Sequence, residues 1–116
     1  MFMVMCVLDN PDKLDAVLEA WEAVGVSGVT IVESSGIFRR QTKHRRIPMR
    51  FDFEQLVERA ERGNYTLFTL VENEAMVEQC VSAVEEVVGD LSMPNTGILT
   101  AWPLSMVRGL SKQHAH

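Results

Sequence analysis

The run FMVMCVLDNPDKLDAVLEAWEAVGVSGVTIVE, residues 2–33, decides the fold, because it reads strand, helix, strand without interruption. Phe2–Leu8 is apolar throughout, as a central strand covered on both faces would be. Asn10 offers a helix N-cap, and Pro11 follows at the first helical position, where its missing N–H costs nothing. Leu14, Val17, Leu18, Trp21 and Val24 recur at helical spacing, so one face of that helix is buried. Gly25 ends the helix, and Val29–Glu33 is a β-branched second strand.

The run YTLFTLVENEAMVEQCVSAVEEVVGDLSMPNTGILTAW, residues 65–102, repeats the order. Tyr65–Val71 alternates Thr with apolar residues as a third strand. Asn73 caps a second helix in which Val77, Cys80, Val81, Val84, Val87 and Val88 keep the helical period. After Gly89, Asp90–Thr96 is a turn-rich loop centred on Pro94 and Asn95. Gly97–Trp102 is a fourth strand closed by Pro103. Two strand–helix–strand units in so short a chain predict an α+β fold, a ferredoxin-like βαβ-βαβ sandwich. It has an antiparallel sheet with two helices on one face. Strands one and three carry apolar residues on both faces, so the second sheet face needs a cover, and self-association is the simplest one.

Between the two units lies the chain's positive charge. The protein is acidic at net −5, yet Arg39, Arg40, Lys43, Arg45, Arg46 and Arg50 are six of its eleven Lys and Arg residues. No Asp or Glu occurs from Ser34 to Phe51. Gly36, Pro48 and the lack of any sustained period make 34–50 a long basic loop. Asp52 and Gln55 form a capping-box-like pair, and Phe53, Leu56, Val57 and Ala60 fill one side of an extra short helix that stops at Gly63.

Length and composition set outer limits. At 116 residues with 47% apolar content, the chain is one domain, residues 1–109, followed by a tail at 110–116. The acidic balance argues against general nucleic-acid binding, which needs a broad basic face. Cys6 and Cys80 sit inside apolar patterns and fit reduced core residues; no Cys or His spacing matches a zinc site. Met1–Leu8 has no basic n-region or cleavage site and is too short to span a bilayer. A cytoplasmic protein without direct membrane insertion is expected. Glu85 and Glu86 are adjacent on a helix and point apart, so they make no acid–base pair. Ser34 and Ser35 lack a partnered histidine, and no Walker-type phosphate loop occurs. No constellation supports an enzyme.

The stretch Gly25-x-x-Gly28-Val-Thr30-Ile-Val-Glu33, followed by Gly36 and Arg39, resembles the second strand and loop base of nitrogen-regulatory PII signalling proteins. Asp12-Lys-Leu-Asp-x-Val-x-x-Ala20-x-x-x-x-Gly25 resembles their first helix, and Gly97-Ile-Leu-x-x-x-Pro103 their last core strand. The resemblance implies a homotrimer that binds an adenine nucleotide (AMP, ADP or ATP) as an effector in clefts between subunits, with no cofactor required. By position it implies ligand contacts from Gly28, Val29 and Thr30 near the base. Gly36, Phe38 and Arg39 would lie near the phosphates, and Asn95, Thr96 and Gly97 in a second phosphate-contacting loop. It further implies that the basic loop 34–50 regulates a partner protein, an enzyme or a membrane transporter, through Arg40, Lys43, Arg45, Arg46 and Arg50.

The chain departs from the standard pattern. The family's Gly-Asp-Gly-Lys is here Pro94-Asn95-Thr96-Gly97, without the lysine, and Pro94 removes a backbone donor. The family's C-terminal Arg-x-Arg is reduced to Arg108, and the projecting loop has no tyrosine. The chain therefore resembles a non-standard, PII-like member. Two alternatives stand beside that reading: a trimeric interaction module independent of ligand, and a nucleic-acid-binding ferredoxin-like domain.

Overall fold

The computed structural model describes residues 1–34 and 64–110. The described elements are β1 (Phe2–Leu8), α1 (Leu14–Ala23), β2 (Thr30–Ser34), β3 (Asn64–Val71), α2 (Glu74–Val88) and β4 (Ile98–Pro103). The four strands form one sheet in the order β2-β3-β1-β4, antiparallel at every junction. Each unit is therefore a split βαβ: β3 lies between β1 and β2, and β1 lies between β3 and β4. This is the ferredoxin-like sandwich that the strand–helix order predicts. The extra short helix and the basic loop lie outside the described residues, apart from the loop's first residue, Ser34.

Local chemistry explains each boundary. Asn10 Oδ1 accepts the Asp12 amide at 2.9 Å, two residues on rather than three. The chain consequently enters α1 through a 3-10 turn, Pro11–Lys13, before the α-helix starts at Leu14. At the other end Gly25 adopts φ +102. Its amide bonds Glu22 O at 3.1 Å and the Val26 amide bonds Trp21 O at 3.0 Å, the paired closure that a left-handed glycine permits. Asn73 caps α2 in the usual way, its Oδ1 accepting the Met76 amide at 2.9 Å.

The core lies between the helices and one sheet face. Val4, Cys6 and Leu8 of β1 and Leu67 and Val71 of β3 meet Val17 and Trp21 of α1 and Cys80, Ala83 and Val84 of α2. Trp21 is fully buried, and its indole N–H donates to the Cys80 carbonyl at 3.2 Å, tying α1 to α2. Strand alternation sends Met3, Met5, Val7, Phe68 and Leu70 to the opposite face. There Met5 sits between Phe68 and Thr100, and Met3 between Leu70 and Trp102. β2 starts one residue later than the sequence pattern suggests, because its ladder begins with the Thr30–Phe68 pair. Among the described residues no helix is long and apolar enough to cross a membrane.

Candidate functional site

A cavity of about 290 Å³ opens where the α1–β2 connection meets the helix-free face of the sheet. Ser27, Gly28, Val29 and Thr30 form its lip. Met3, Phe68, Thr69 and Leu70 form its wall, and Leu110 completes the lining. Three residues that the sequence singles out, Gly28, Val29 and Thr30, are thus brought together. At Gly28 an added Cβ would meet nothing within 4 Å, so the space above its backbone is open. None of the lining side chains carries a formal charge. The walls offer methionine, leucine and phenylalanine surface together with backbone groups of the lip. Such a site can take a small group that pairs apolar surface with hydrogen-bonding edges.

The lip is held from below. Thr69 is 4% exposed and shares the buried stripe of β3 with Leu67 and Val71. Its hydroxyl donates to the Gly28 carbonyl at 2.6 Å. Sequence reasoning missed Thr69, although a lone hydroxyl in an otherwise apolar stripe is a legible signal: a buried donor needs a partner. It also missed Met3, Phe68, Leu70 and Leu110, which only the sheet order gathers.

Asn95, Thr96 and Gly97 lie elsewhere. Gly97 has φ +125 and packs on the end of β1, where an added Cβ would collide with the Val7 carbonyl oxygen. Asn95 is left-handed at φ 65, and the Thr96 hydroxyl donates to Met93 O at 2.9 Å. The preceding turn satisfies itself in the same way. The Asp90 carboxylate accepts from the Ser92 amide at 2.9 Å and the Ser92 hydroxyl at 2.8 Å. These bonds hold its pKa below the ordinary carboxylate value. Glu85 Oε2 accepts the Leu91 amide at 2.9 Å. Met3, in the cavity, and Val7, beside Gly97, are four residues apart on β1, roughly 13 Å at the usual strand rise. β2 and β4 are moreover the two opposite edges of the sheet. One chain therefore does not unite the two groups of predicted ligand residues.

Gly36, Phe38 and Arg39, and Arg40, Lys43, Arg45, Arg46 and Arg50, lie outside the described residues. Their anchor points are described. The chain leaves the sheet at Ser34 and returns at Asn64, which are opposite each other across β2 and β3. The Ser34 hydroxyl shares a 2.8 Å hydrogen bond with Thr66 Oγ1 there. This end of the sheet also holds Leu8 and Tyr65, and so it is the end on which Gly97 packs.

Other surfaces are simpler. Cys6 and Cys80 are fully buried. Burial, and secondarily the neighbouring Cys80, pushes the Cys6 thiol up to about 12; burial alone pushes Cys80 up to about 11. Both are unreactive as thiolates at neutral pH. Trp102 is 41% exposed on β4, so it belongs to the open face and not to the core. Tyr65 packs against the core, so it does not sit on the open face beside Phe68. Among the described residues no three His, Cys, Asp or Glu side chains gather as metal ligands would. No protein-family model matches the chain, and no curated protein matches it.

Proposed function

We propose that this protein is a PII-like regulator, a homotrimer that binds an adenine nucleotide in the clefts between its subunits and acts on a partner protein through the basic loop 34–50. It works in the cytoplasm and is not an enzyme. The observation that carries the reading is the cavity at Gly28, Val29 and Thr30, uncharged and opening onto an apolar sheet face. An uncharged pocket can take a base, but it needs cations from elsewhere for a phosphate. Among the described residues the cations are Lys13 and Arg108. Arg39 supplies that charge in this reading. Asn95–Gly97 lies at the far end of the sheet, so it reaches a nucleotide only from a second copy, which is why the trimer and the ligand belong to one proposal.

Calorimetric titration with AMP, ADP and ATP tests it. Binding of at least one, weakened at least tenfold in Arg39→Ala, is the expected result. A chain that binds none of the three, with Arg39→Ala indistinguishable from wild type, removes the ligand from the reading. A second reading, a trimeric interaction module without ligand, draws on the 90–97 turn, whose Asp90, Ser92 and Thr96 side chains bond within the turn itself. Equal capture of a partner by nucleotide-free and nucleotide-loaded protein would favour it. The nucleic-acid reading is weakened by Tyr65, which packs inward and leaves β3 with Phe68 alone as an aromatic on the open face.

A further inference from the structure

We infer that Thr69 is the positioning residue of this site: its hydroxyl, not the sheet ladder, sets where the Gly28–Val29 part of the lip stands over the cavity. The inference rests on the reading of the cavity as a ligand site. The β2–β3 ladder ends at the Thr30–Phe68 pair, so residues 27–29 run past Thr69 and Leu70 beyond the last ladder position. At that point the 2.6 Å bond from Thr69 Oγ1 to the Gly28 carbonyl fastens the connection to the sheet. Thr69 itself cannot shift, because it is 4% exposed within the buried stripe of β3 and is paired with Val4 of the central strand on its other side. Gly28 has the opposite character: it has no side chain to pack, and an added Cβ would meet nothing within 4 Å. A rigid donor thus holds a permissive acceptor. The bond fixes the direction of the Gly28–Val29 peptide, and with it the backbone groups that this peptide offers to the cavity.

Two substitutions separate the hydroxyl from the packing. Thr69→Val keeps the shape and removes the donor; Thr69→Ser keeps the donor and removes the methyl group. Backbone 15N order parameters on the ligand-free chain read the lip directly, and calorimetry with ADP reads the site. In Thr69→Val the order parameters of Gly28 and Val29 fall from rigid-backbone values to below about 0.6, those of a flexible loop. Those of Val4 and Leu67 stay unchanged, and ADP binds several-fold more weakly. Thr69→Ser restores both readouts. If the order parameters of the lip are unaltered in Thr69→Val, or if Thr69→Ser behaves like Thr69→Val, the brace is overturned. Lower lip order parameters with unchanged ADP affinity also overturn the positioning role. A wild-type chain that binds no ADP overturns the role at the site and leaves the order parameters to decide the brace alone.

Discussion

At the scale of single residues, the two cysteines show how burial becomes chemistry. Both thiols lie in the core with raised pKa values, about 12 for Cys6 and about 11 for Cys80. The unfolded chain ionises them near the ordinary value of 9.0, while the folded chain keeps them protonated. The unfolded state therefore loses protons first as pH rises, and stability that is complete below about pH 9 falls as pH climbs toward 11–12. By pH 10 the loss is about 1 kcal/mol per thiol. Urea unfolding at pH 8, 9 and 10 should show this decline, and a Cys6→Ala, Cys80→Ala variant should lack most of it. Equal slopes in both proteins would contradict the assignment. The cysteines' location was legible, since each sits at an apolar position of a clear period. The role of Gly97 was not. Its value lies in a close approach to the Val7 carbonyl, a contact between positions 90 residues apart that no local pattern encodes.

At the scale of elements, caps and periods were readable and ladders less so. Gly25 and Asn73 end and begin their helices as the sequence suggests, because capping is a local bargain between a side chain or a φ angle and nearby amides. Replacing Asn73 by Ala removes the acceptor for the Met76 amide and should cost about 1 kcal/mol, read as a lowered urea midpoint with unchanged slope. No change in midpoint would mean that water or a neighbouring group takes over the cap. β1 was legible to the residue because all of its positions are apolar. β2 shifted by one residue because an edge strand starts where its single partner begins to pair, and Val29 has none. The 3-10 turn at Pro11–Lys13 likewise follows from which amide Asn10 chooses, and its sequence fits either geometry. The cavity lip was visible as Gly28, Val29 and Thr30. Its wall was not, since Met3, Phe68 and Leu70 come together only through the register of β1 on β3.

At the scale of the whole molecule, the open sheet face is the feature the proposal must account for. Met3, Met5, Phe68 and Leu70 lie side by side on it, with Ile98 and Trp102 49% and 41% exposed along β4. Apolar surface of this extent on a small domain is a cost that association relieves. The separation of Gly28–Thr30 from Asn95–Gly97 points the same way, since the proposed ligand needs both and one chain holds them apart. A charge placed at the centre of the face, Met5→Glu, should dissociate the assembly while leaving the helix-side core intact, so that circular dichroism is preserved and mass falls. The most direct measurement is the mass of the wild-type assembly in solution by light scattering, with and without ADP. The proposal predicts a particle of three chains, each 13.1 kDa, under both conditions. A single-chain particle under both conditions would contradict it, because the cleft that is meant to hold the nucleotide would then not exist.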